Sequence, residues 1–158
     1  MSGRGQRGFT YIELLATVAI LLVLASAIVP VWRWDQKRRY EKWLKADLRI
    51  MRDAIDNYKK LCDEQKIQQK DVEQKCYPMT LEELVEGVEL TSPDASEVKT
   101  MRFLRQIPED PFTGEAEWGM RSYQDDWDST SWGGENVYDV YSTSTLLALD
   151  GNTHYNEW

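Results

Sequence analysis

From Leu14 to Trp32 the chain carries no charged residue, a run about as long as the ~20 positions a helix needs to cross a bilayer. Everything after it is strongly polar. Beyond Pro30 the continuous apolar run gives way to a stripe, in which Tyr40, Leu44, Leu48, Met51, Ile55, Tyr58 and Cys62 recur at steps of three and four. That spacing lines one face of a helix. Acid-first pairs four residues apart support it: Asp35 with Arg39, Glu41 with Lys45, and Asp56 with Lys60. One helix from Phe9 to about Leu61 would be ~80 Å long, with Pro30 withholding a backbone donor and expected to bend or loosen it locally.

The remaining segments are short. Thr80 with Glu83 three residues on has capping-box spacing and predicts a short helix ending by Gly87. "IPEDPFTGE" packs Pro108, Pro111 and Gly114 into a turn or loop. "EWGMRSY" and "NVYDVYS" have the β-branched and aromatic content of strands, separated by the turn-rich "QDDWDSTSWGGE". The fold class that follows is α+β: a long N-terminal, partly transmembrane helix, then a small head with a short antiparallel sheet.

Charge removes some functions. A net charge of -8 argues against a nucleic-acid partner, which needs a basic face. The basic cluster Lys37-Arg38-Arg39 lies beside the anchor, suited to a solvated helix face or to lipid headgroups. With one histidine, His154, and no phosphate loop, nucleophile elbow or HExxH, catalysis has no support either. One charge does need explaining. Glu13 stands just inside the entrance of the apolar run, where a carboxylate costs roughly 2.5–3.5 kcal/mol on insertion scales and marks a functional residue. "ASA" at Ala25 to Ala27 would suit a secretory signal cut there. Against it, Glu13 interrupts the apolar region, and apolar residues continue past the cut to Trp34.

"RGFTYIELLATVAILLVLASAIVP" resembles the N-terminal segment of type IV pilin-like proteins: a short basic leader ending in Gly8, then Phe9, Glu13, an apolar helix and Pro30. The resemblance implies that a prepilin peptidase cuts after Gly8 and that the new N-terminal Phe9 is methylated. It also supplies Glu13 with a partner, because cleavage creates an amine at Phe9 one helical turn away, and the family precedent places that amine on a neighbouring subunit. The implied divisions are a leader at 1–8, a transmembrane and assembly helix at 9–32, its extracytoplasmic continuation at 33–62 and a globular head at 63–158. The positive charges on the two sides of the anchor, Arg4 and Arg7 before it and Arg33, Lys37, Arg38 and Arg39 after it, do not favour a cytoplasmic N-terminus. That orientation, with the head in the periplasm and a single pass through the bacterial inner membrane, is implied by the resemblance alone.

The order long helix, "YPMTLEEL", "IPEDPF" and "YDVYS" with a following Asp-Gly is similar to the major pseudopilin of type II secretion. The chain departs from that pattern in "DDWDSTSWGG" and in its ending "LDGNTHYNEW". Partners implied are copies of itself, other pseudopilins and an inner-membrane assembly platform with its ATPase. Major pseudopilins hold calcium in the loop after the "YDxxS" strand, and Ser142, Ser144, Asp150, Asn152 and Glu157 are the oxygen donors here, with Asp150 the leading ligand. Asp-Gly-Asn also makes an ordinary turn without metal, and the acidic "QDDWD" loop is a weaker metal candidate. In an extracytoplasmic head Cys62 and Cys76 can form a bridge; reduced, buried thiols are the alternative. Two other functions stay open: a pilin of a surface filament used in adhesion, motility or electron transfer, and a monomeric anchored or secreted binding domain. Trp32, Trp34, Tyr40 and Trp43 are read as membrane-interface and packing residues rather than as a conduction path.

Overall fold

The computed structural model describes residues 8–68, 71–91 and 99–158; the side chains of residues 27–31 lie outside the description. Helix α1 (Tyr11–Asp63) is followed by α2 (Leu81–Glu86), the strands β1 (Val88–Leu90), β2 (Lys99–Met101), β3 (Trp118–Arg121) and β4 (Asp139–Ser142), and a 3₁₀ turn at Tyr155–Glu157. This is the expected α+β class. The chain divides into two compact units, Met1–Arg39 and Tyr40–Trp158.

In the first unit α1 opens at Thr10, whose hydroxyl and carbonyl both accept from the Glu13 amide, at 3.3 and 3.1 Å. Thr10 thereby satisfies one of the amides that a helix start leaves without an intrahelical partner. Every residue from Gly8 to Ser26 is exposed. Among the described residues no helix is long and apolar enough to cross a membrane. The apolar stretch with described side chains ends at Ser26, and the span expected from the sequence runs on through residues 27–31, outside them. Helical backbone continues through Pro30. Farther along, Asp35 and Arg39 form the expected i,i+4 pair at 3.0 Å.

The second unit begins at Tyr40, inside the helix, and the apolar stripe is the wall of its core. Leu44, Leu48, Met51, Ala54, Ile55, Tyr58 and Cys62 are all buried, against Leu81, Leu84, Leu104, Trp118, Val137, Val140 and Tyr155. Among the described residues the other two charge pairs expected along the helix do not form: Glu41 and Lys45 turn to the C-terminal segment, and in the last turns Lys59 pairs with Asp63 at 2.5 Å. The helix ends in a Schellman arrangement. Lys66 N–H donates to the Leu61 carbonyl at 2.9 Å and Gln65 N–H to that of Cys62 at 2.8 Å, with Gln65 taking the left-handed conformation, φ 59°, that glycine usually supplies.

A disulfide joins Cys62 to Cys76, with Cα atoms 5.5 Å apart. It fastens the loop that follows α1 back to the last turns of the helix. Gln74, buried within the same loop, donates to the Tyr58 hydroxyl at 3.2 Å. Burial and the nearby Glu83 carboxylate push the Tyr58 phenol up to about 12.

Helix α2 is capped by Thr80, whose hydroxyl accepts from Glu83 N–H; the Glu83 carboxylate reaches the amide of Met79, one residue before the position a capping box uses. Gly87 ends it at φ 90°, where a Cβ would strike the Met101 carbonyl. Two separate antiparallel ribbons follow, β1 with β2 and β3 with β4. The second is the pair expected from "EWGMRSY" and "NVYDVYS", in register Trp118↔Ser142 through Arg121↔Asp139. Gly119 lies opposite Tyr141, and its missing side chain makes room for that ring.

Cys62 and Cys76 are 14 residues apart, so closing that loop stabilises the fold by ~3 kcal/mol in the chain-entropy description. Non-reducing peptide mapping should show the Cys62–Cys76 link. Urea unfolding should lose roughly that amount in the Cys62→Ser/Cys76→Ser double variant. Equal stability with and without the bridge would show that the closed loop contributes nothing.

Candidate assembly site

Two sets of residues were expected to carry function, one at the start of α1 and one after β4. Just before α1, Gly8 has no neighbouring atom among the described residues within 4 Å of where a Cβ would stand, and the Phe9 side chain is 78% exposed. Both residues are exposed. Glu13 follows in the first helical turn, where the partial positive charge of the helix N-terminus favours a carboxylate. Among the described residues its carboxylate has no ion pair. Thr10, missed in the reading of the sequence, was discoverable from its capping-box spacing to Glu13. Of Pro30 only the helical backbone is described, and the leader residues 1–7 lie outside the described residues.

The expected metal donors are distributed over separate local networks. Ser142 donates to the buried Asp110 carboxylate and accepts from Ser144 N–H at 3.1 Å, while the other Asp110 oxygen accepts from Phe112 N–H at 2.7 Å. Asp110 thus ties the "IPEDPF" turn to the end of β4, with Ser144 turned to the amide of Leu146. Asp150 closes its own turn instead. One oxygen accepts from Asn152 N–H at 2.9 Å and Thr153 N–H at 3.0 Å, the other from the Thr153 hydroxyl at 2.7 Å. The Asn152 amide returns to the Asp150 carbonyl, and Glu157 pairs with the backbone N–H and ring of His154. Among the described residues no group of three or more Asp, Glu, His or Cys side chains is placed to hold a metal ion.

The "QDDWD" loop is also closed by its own bonds: the Asp125 carboxylate accepts from the amides of Ser122 and Gly133 at 2.7 and 3.1 Å. Buried Asn136 donates to the Glu73 carbonyl and the Gln124 side chain and accepts from Tyr123 N–H. Neither Asp110 nor Asn136 stood out in the sequence, since a single polar residue announces no burial.

A long N-terminal helix with a glycine, a phenylalanine and a first-turn glutamate at an exposed apolar end, joined to a small α+β head, defines a type IV pilin-like protein. The prokaryotic N-terminal methylation motif matches residues 3–29. The chain is 26% identical to the type II secretion system core protein G of Klebsiella pneumoniae, over 97% of this chain and 94% of that one. It is 27% identical to the protein of that name from Vibrio cholerae, over 94% of this chain and 84% of the relative. With the Escherichia coli protein it shares 29% identity over 68% of this chain and 67% of the relative. No solved structure matches significantly. Within the pilin-like class, then, this is a pseudopilin-like chain, a structural subunit.

Asp150 provides a pH test. Its carboxyl is held at about 2 by the amides of Asn152 and Thr153 first, then by the Thr153 hydroxyl, against an ordinary value of 3.8. A carboxyl depressed in the folded state contributes its stabilisation above the unfolded value and loses it as pH falls through the folded one. The turn should therefore hold down to about pH 4 and open toward pH 2. Amide NMR shifts of Asn152 and Thr153 should report that transition, and Asp150→Asn should remove it.

Proposed function

We propose that the chain is a pseudopilin of a type II secretion pseudopilus. Made as a precursor, it is cut after Gly8 by a prepilin peptidase and methylated on Phe9. It is held as a single-pass protein of the bacterial inner membrane with its head in the periplasm. An assembly platform and its ATPase then polymerise it, with copies of itself and other pseudopilins, into a filament that drives protein export across the outer membrane.

The observation that carries this reading is the placing of Gly8, Phe9 and Glu13 at the accessible start of an exposed apolar helix, in a chain similar over nearly all its length to a core secretion protein. Leu14, Val18, Leu21, Leu22 and Leu24 are each 45% exposed or more. A helix apolar on every side is suited to lipid or to other such helices rather than to water. Cleavage gives Phe9 a cationic amine. Against the Glu13 carboxylate of an adjacent subunit that amine fixes the register of the pair, because a shifted helix would strand a charge among apolar groups. The Cys62–Cys76 bridge supports a head outside the reducing cytoplasm.

N-terminal sequencing of the membrane-extracted protein should begin at methylated Phe9, and Gly8→Val should accumulate uncut precursor. A mature chain starting at Ile28 would establish a secretory signal instead. Glu13→Leu should still insert, since it removes an insertion penalty, and should still be cut, since the leader is intact. Assembly should fail, as read by cross-linking of cysteine pairs along neighbouring anchor helices and by secretion of client proteins. Normal cross-link ladders and normal secretion would reduce Glu13 to a helix-start residue.

A further inference from the structure

The segment after β4 is where the resemblance implies calcium, yet its donors do not fit that ion. Calcium takes six to eight oxygens at ~2.3–2.6 Å, several of them anionic. Here Ser142 is spent on Asp110, Asp150 on its own turn and Glu157 on His154. The segment instead offers hydrogen-bond donors, and one carboxylate collects them. Glu41, on α1, accepts from Leu149 N–H at 2.7 Å and from the Tyr155 hydroxyl at 2.9 Å, both on the same oxygen. Burial and this carboxylate raise the Tyr155 phenol, so it is protonated and donating at neutral pH.

Farther along α1, Arg52 makes the opposite attachment. Its guanidinium donates to the Asp139 carboxylate at 2.7 Å and to the backbone oxygens of Val140 and Trp158, each at 3.0 Å, so that β4 and the end of the segment are held by one side chain. Between the two points Tyr155 stacks on Phe112 with ring centres 3.9 Å apart, and the Lys45 ammonium lies 4.2 Å over the Trp158 ring. Hydrogen bonds from Ala148 N–H to the Thr153 carbonyl and from Tyr155 N–H to the Leu146 carbonyl close the loop on itself.

We infer that the segment from Leu146 to Trp158 is ordered without calcium, by the Glu41 carboxylate and the Arg52 guanidinium of α1. A cation gathers lone pairs, whereas a carboxylate gathers N–H and O–H groups. The Asp150 and Glu157 carboxylates of this segment are satisfied within it, the Asn156 side-chain oxygen is buried without a hydrogen-bond partner, and Leu149 and Tyr155 turn their donors toward the helix. Charged hydrogen bonds of this kind are stronger than neutral ones, and removing the carboxylate leaves a buried phenol and an amide without their acceptor.

The test uses the full chain in detergent, melted in chelator and in millimolar calcium chloride, with hydrogen exchange read at the Leu149 amide. The melting temperature should be the same in both solutions, and the Leu149 amide equally protected. Glu41→Ala should lower the melting temperature by about 5 °C or more in both. If that variant does not fold, the comparison of chelator with calcium in the unmodified chain still decides. A melting temperature that rises with calcium and loses the rise in Asp150→Ala would overturn the inference. So would Leu149 protection that appears only with calcium, or a Glu41→Ala chain that melts like the unmodified one.

Discussion

The head cannot stand without the helix stripe. Its two ribbons have two strands each, of three or four residues, and a two-stranded ribbon is at best marginally stable in water. Neither contains enough apolar surface to form a core with the other. Leu44, Leu48, Met51, Ile55 and Tyr58 supply the missing wall, and each is at most 3% exposed. Everything else in the head is arranged around that face: α2 through Leu81 and Leu84, the second ribbon through Trp118 and Val140, the C-terminal segment through Tyr155. The helix from Tyr40 onward is therefore a part of the head and not a stalk beneath it.

That stripe was legible because helical periodicity is repeated over several turns, so that many residues report the same face. The turn chemistry around Thr80 and the β3–β4 pair were legible for similar reasons. The first ribbon was not: β1 and β2 have three residues each, and β2 is exposed throughout, so no alternation marks it. The pair Glu41 and Lys45 shows where local rules give way. Spacing alone assigned them to each other, but an exposed pair of this kind gives only ~0.2–0.5 kcal/mol. A buried phenol and amide on one side and an indole face on the other outbid it. The donors that the resemblance assigned to calcium show a related difference: a sequence supplies the oxygens of the segment, while the fold decides which of them already have partners.

At the N-terminus the sequence is more informative than the structure of a single subunit. Gly8, Phe9 and Glu13 are all exposed. Under the proposed function each of them answers to another molecule: a peptidase for the glycine, neighbouring helices for the apolar surface, an amine for the carboxylate. Thr10 shows that the same few residues also serve the helix itself, because its hydroxyl caps the first turn in which Glu13 stands.

The closing of the loop between Cys62 and Cys76 has a mechanical meaning. In the proposed filament, a push or a pull would load each subunit along its helix. In the head that load enters at Tyr40 and is shared along the stripe, where contacts lying side by side resist sliding together rather than peeling apart one after another. The covalent bond stands at the far end of the stripe, where fraying of the last turns would otherwise begin. A head fastened in this way would share such a load across its packed core.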